Sequence, residues 1–160
     1  MTAPSQTGTT ASPTQPRTEP TRTRSGSSEM RTPSTDDLIS LAETAGIAVT
    51  WHRGGPQGAW IPPENRISIR HGMDDAQTRC ALAHELAHMW LGHPAPATDR
   101  QEMQADRMAA ELLISTVEYA LVEQIYGPQL RRIAKELNVT TDIARIWRDN
   151  QERQRSWAGK

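Results

Sequence analysis

The chain has 160 residues, 36% of them apolar and 23% charged, with a formal net charge of −1. That length suits one ordinary domain and excludes two substantial ones, and the balanced charge argues against attachment to nucleic acid or membrane by bulk electrostatics. No run approaches the roughly 18 apolar residues of a membrane helix, MTAPSQTGTT lacks the features of a secretory signal, and the single Cys80 fits a reducing cytoplasm.

Residues 1–33 contain no Leu, Ile, Val, Phe, Trp or Tyr, and carry four arginines against two glutamates. Such a Thr/Ser/Pro-rich stretch cannot bury enough apolar surface to offset its chain entropy, so a disordered tail is expected. The remainder reads as α+β. Ser34 or Thr35 can cap a helix carrying Leu38, Leu41, Ala42 and Ala45, with Gly46 ending it. Ile47, Val49 and Trp51 then alternate as in a half-buried strand, and Gly54-Gly55-Pro56 breaks it. A short run at Ala59–Ile61, a turn at Pro62-Pro63-Glu64-Asn65 and a second alternation over Arg66–Arg70 follow. Three short strands joined by tight turns predict a small three-stranded antiparallel sheet. Everything after Asp74 has helical character. The expected division is a tail over 1–33, a core over 34–126, and a helical extension over 127–160 packed on that core.

The chemistry-bearing residues lie on the first of the later helices, where Asp74, Gln77 and Gly92 supply its capping signals. Residues 84–88 read His84-Glu85-Leu86-Ala87-His88. Positions four apart share a helix face, so both imidazoles can reach one metal ion, with Glu85 placed to reach a water beside it. Imidazole suits zinc, and two His with a carboxylate and an open position is the pattern of a hydrolytic zinc site. Fourteen residues on, Glu102 opens a helix whose face runs Glu102, Asp106, Ala109, Leu113, from acidic to apolar. Glu102 is the third ligand on this reading, and Asp106 can hold a ligand imidazole in one tautomer. Glu111 falls on the opposite face.

The longer motif with glycine and histidine three and six residues after the second His fails, because those positions hold Leu91 and Pro94. His93 is out of register and reads as a supporting or surface residue.

The stretches LAHELAHMWLGH (Leu82–His93) and EMQADRMAAELL (Glu102–Leu113) resemble the ImmA/IrrE family of zinc metallopeptidases. The resemblance covers roughly residues 34–150 and implies a zincin-like fold. It implies His84, His88 and Glu102 as zinc ligands, Glu85 as the catalytic base, and a helix-turn-helix repressor as the cleaved protein. The shortness of the chain points to a short, phage- or mobile-element-like member. An edge strand within 47–70 is expected to hold the extended substrate.

Toward the C-terminus, Leu130, Ile133, Ala134 and Leu137 form one stripe, Asn138-Val139 a turn, and Thr140 caps a helix containing Ile143, Ala144 and Trp147. This resembles a helix-turn-helix, so a non-catalytic DNA- or protein-binding module is the alternative reading. Its second helix mixes Arg145, Arg148 and Arg153 with Asp142, Asp149 and Glu152, a poor footprint for phosphate, and direct DNA binding is not expected. Trp51, Trp60 and Trp90 are expected to supply core bulk in a chain without Phe, and Cys80 to be a small core residue. Gly54, Gly55 and Gly58 read as turn glycines.

Overall fold

The computed structural model describes residues 32–159; the expected tail over 1–33 lies outside them except for Thr32 and Pro33. The elements are α1 (Thr35–Thr44), β1 (Ala48–His52), β2 (Gly58–Ile61), β3 (Arg66–Arg70), α2 (Asp75–Trp90), α3 (Asp99–Leu113), α4 (Thr116–Tyr126), α5 (Leu130–Glu136) and α6 (Thr141–Ala158). The class is α+β, as the sequence predicts, and the helices after Asp74 are all present.

The local signals act where the sequence places them. Ser34 accepts from the Asp37 N–H and Asp74 from the Gln77 N–H, each in a reciprocal capping box. Gly92 takes φ +65° just after the Leu91 cap of α2, the left-handed turn that stops a helix. Pro62–Glu64 forms one turn of 3₁₀ helix, closed by Asn65 at φ 45°.

The sheet departs from expectation: it is mixed. Its order is β1-β3-β2, with β3 antiparallel to β2 and parallel to β1. Ala48 pairs with Arg66 on one side of β3, and Ile61 pairs with Arg66 on the other. The physical reason is burial. Ile67, Ser68 and Ile69 are all buried, so β3 takes the centre, where both of its edges are paired. β1 and β2 are half-exposed and take the edges. The connection through residues 53–57 is long enough to step across one strand position of about 4.8 Å either side.

α2 is the central element. Ten of its residues are buried, including Ala81, Ala83 and Ala87, whose small side chains let neighbours approach closely from several directions. The core around it contains Leu38 of α1, Ile67 and Ile69 of β3, Leu113 of α3, Ile133 of α5, and Ile143, Ala144 and Trp147 of α6. Arg79 is buried among these elements and donates to the carbonyls of Pro33, Leu113, Leu137 and Asn138. The aromatic bulk comes from Trp147 stacked on Tyr119, with ring centroids 4.4 Å apart. Trp51 and Trp90 are instead 44% and 38% exposed, and Trp60 packs on the core only in part. The β-strand and helix-end positions of these tryptophans put them at the rim. No helix among the described residues is long and apolar enough to cross a membrane.

Candidate metal centre

α2 and α3 bring the site together. His84 and His88 lie one turn apart on α2, and Glu102 and Asp106 lie one turn apart on α3, which packs beside it. His84 Nε2 is 2.9 Å from His88 Nε2 and 3.1 Å from Glu102 Oε2, and His88 Nε2 is 3.4 Å from the same oxygen. These three atoms lie within 4.8 Å of one another and form a group able to hold a metal ion.

The chemistry of this donor set fits a cation. Asp106 Oδ1 is 2.9 Å from His84 Nδ1, and a carboxylate only accepts, so the ring proton sits on Nδ1 and Nε2 carries a lone pair. His88 Nδ1 is 3.0 Å from Nδ1 of His93, a buried residue. When His88 donates across that contact, its Nε2 also presents a lone pair. Two imidazole lone pairs and a carboxylate oxygen then face one another at 2.9–3.4 Å. Such a cluster is repulsive unless a positive charge sits between them. Tetrahedral ligands at zinc distances are about 3.3 Å apart, which matches this spacing.

Burial pulls the His84 imidazolium pKa down, but the Asp106 bond and the charges of Glu85, Asp106 and Glu102 outweigh it, and the net shift is upward. His88 goes the other way, lowered by burial and by His84. His84 and Glu102 are the donors partly open to solvent, at the mouth of the cluster.

Glu85 lies on the same turn as His84, 7% exposed, and its carboxylate accepts from the Trp60 backbone N–H of β2. Burial pushes its pKa above the ordinary carboxylate range, against the opposing pull of His84 and the Trp60 bond. Gly58 is what admits it. A Cβ at Gly58 would stand 2.7 Å from Glu85 Oε1 and 2.8 Å from its Cγ, so any larger residue there would push Glu85 out of its present position. Gly58 is thus the first residue of a strand rather than a turn glycine.

All five predicted residues (His84, Glu85, His88, Glu102 and Asp106) line one cleft of about 1050 Å³. Its floor is the face of α2 from Gln77 to His88, and one wall is β2. The edge strand beside the site is therefore β2; β3, over Arg66–Arg70, is the central strand and has no free edge. The far wall includes Thr140, the N-cap of α6, with Thr141–Ile143 and Ile146 of α6, none of which the sequence assigns to the site. Only the tertiary packing of α6 reveals it. Glu111 lies away from the site and accepts from Asn150 Nδ2.

Comparison with the curated proteins finds no match. The family model for the IrrE N-terminal-like domain, Peptidase_M78, matches residues 42–146, from the end of α1 to the second turn of α6 and across the whole donor set. That span is well over half of the chain, and the metallopeptidase character of the family agrees with the donor cluster on α2 and α3. The chain belongs to the Peptidase_M78 family, the ImmA/IrrE metallopeptidases.

Proposed function

We propose that this chain is a zinc-dependent endopeptidase of the cytoplasm that cleaves a helix-turn-helix repressor. The observation that carries the reading is the convergence of His84 Nε2, His88 Nε2 and Glu102 Oε2 beside the buried Glu85 carboxylate in one cleft. Zinc held by these three residues supplies Lewis acidity toward a water and toward a peptide carbonyl oxygen.

The chain's own residues do the rest. Glu85 takes a proton from the attacking water and delivers it to the departing amine nitrogen, so the proton balance closes within one carboxyl group. Its raised proton affinity suits a base that must hold that proton in transit. Asp106 keeps His84 in the Nδ1–H tautomer, and His93 engages the outer nitrogen of His88. The free edge of β2 supplies backbone partners for an extended peptide laid along the cleft.

The repressor as substrate rests on the family resemblance. Direct DNA binding has no place in the proposal. The buried face of α6 packs in the core through Ile143, Ala144 and Trp147, and its first turn lines the cleft.

The test incubates zinc-loaded wild type and Glu85→Gln with a panel of purified helix-turn-helix repressors, and with unfolded casein. New N-termini are then read by mass spectrometry. A single new terminus in a repressor, made by the wild type alone, is the expected result. Cleavage by both proteins, or by neither on any substrate, would sink the proposal.

A further inference from the structure

The cleft does not end at the donor cluster. One turn before His84, the α2 floor changes character to Cys80 and Ala81, both buried and small. Across from them stand Ile143 and Ile146 of α6, with Thr140 and Thr141 at the rim. The Thr140 N–H donates to Cys80 Sγ at 3.4 Å, which fixes the start of α6 against α2 and holds this end of the cleft in shape. Asp142, the one carboxylate lining this end, is held by Arg145 at 2.6 Å. No lysine or arginine lines the cleft among the described residues.

From this geometry we infer that the α6 end of the cleft is a specificity subsite for an aliphatic side chain of the substrate, with Ile146 as its selecting wall. The inference rests on the metallopeptidase reading and extends it to what the enzyme selects. Small residues on the floor give depth, and two branched side chains on the wall match a leucine- or valine-sized group. An anionic side chain would lose its hydration there with no cation in the lining to receive it, and a cationic one would have to compete with Arg145 for Asp142. The subsite adjoins His84 by one helical turn, so a residue placed in it lies within one or two positions of the scissile bond. This also explains the placement of α6: the helix that resembles a DNA reader in sequence instead presents its first two turns to the substrate.

The experiment measures binding to the zinc-loaded full chain by calorimetry, without any turnover. The probes are acetohydroxamate, which reports the metal alone, and peptide hydroxamates carrying leucine, phenylalanine, alanine or lysine next to the chelating group, on either side. The wild type should bind the leucine compound of one series about tenfold or more tighter than its alanine and lysine counterparts. Ile146→Trp should abolish that preference by filling the subsite, and Ile146→Ala should shift it toward phenylalanine. Acetohydroxamate should bind all three proteins equally, which shows that the metal and the fold are intact. An unchanged leucine preference in the variants, or no preference in the wild type, overturns the subsite alone. Failure of acetohydroxamate to bind any zinc-incubated protein overturns the metal reading, and the subsite with it.

Discussion

Asp106 Oδ1 accepts from His84 Nδ1 at 2.9 Å, and Asp106 stands one turn beyond Glu102 on the same helix. One face of α3 therefore delivers both a donor to the cluster and the group that orients a donor from α2. Asp106→Ala frees the His84 ring and removes the bias toward the tautomer with a lone pair on Nε2. Zinc affinity, measured by competition with a chelator, should fall about 10- to 100-fold. Asp106→Asn, whose amide oxygen still accepts, should recover part of it. Equal affinity in all three proteins would show that Asp106 does not support the site.

Glu102 supplies the only carboxylate oxygen in the three-atom group. Wild-type protein should hold about one zinc per chain, and Glu102→Ala should lose it on dialysis, since two imidazoles alone leave the ion underligated. Metal analysis of the two proteins side by side decides this. Zinc retained at full occupancy without Glu102 would move the third ligand elsewhere, with His93 and Cys80 the nearest alternatives in sequence.

Glu85→Gln separates chemistry from stability. The substitution should leave zinc content unchanged and abolish turnover. Burial raises the folded-state pKa of Glu85 above its unfolded value, so ionised Glu85 destabilises the fold at pH values above both. The neutral amide removes that cost. Metal-free Glu85→Gln should therefore melt above metal-free wild type at pH 7, and the gap should close as pH falls below the unfolded carboxyl pKa of about 4.3. A lower melting temperature for the variant at pH 7 would show that the charged form is the stabilised one.

Gly58 tests how closely β2 must pass Glu85. Gly58→Ala places a methyl carbon 2.7 Å from Oε1 and 2.8 Å from Cγ of Glu85, closer than van der Waals contact, and the glutamate must shift to make room. A displacement on the order of 1 Å at a catalytic base lowers turnover by up to about 100-fold. Zinc content should be unaffected, because the three atoms nearest the new Cβ all belong to Glu85, which is not one of the three donors. Undiminished turnover in Gly58→Ala would mean that Glu85 has room to work from another position.

The parts of this site that were legible in the sequence are those fixed by spacing along one helix. His84, Glu85 and His88 need only a four-residue interval, and Glu102 with Asp106 repeats that logic on the next helix. The capping boxes at Ser34 and Asp74 are local in the same sense. What sequence periodicity does not encode is the neighbour across a gap. The alternation at Ile67 and Ile69 marks β3 as a strand but says nothing of which strands flank it, so the parallel pairing with β1 emerged only in the structure. Gly58 reads as a turn residue because its partner, Glu85, is 27 positions away. Trp51 and Trp90 read as core because of their size, yet they sit at a sheet edge and a helix end, where a large ring covers the surface rather than filling the interior.

Arg79 is the clearest case of a residue with no sequence signal and a large structural role. It is 4% exposed and donates to Pro33 O at 2.7 Å, to Leu137 O and Asn138 O at 2.9 Å each, and to Leu113 O at 3.3 Å. Those carbonyls belong to the entry of α1, the end of α3 and the end of α5, so one guanidinium ties three chain segments to the central helix. Helix-end carbonyls have no partners within their own helices, and in the interior each must find a donor. Arg79→Met keeps most of the aliphatic stem but leaves all four oxygens without this donor. The expected loss is about 3 kcal/mol, read as a fall of roughly 10 °C in melting temperature for a domain of this size. Arg79→Lys should recover little, because one ammonium cannot span acceptors fanned over three segments. A melting temperature within 2 °C of wild type, allowing roughly for the error of such scans, would show that water reaches these carbonyls and replaces the guanidinium.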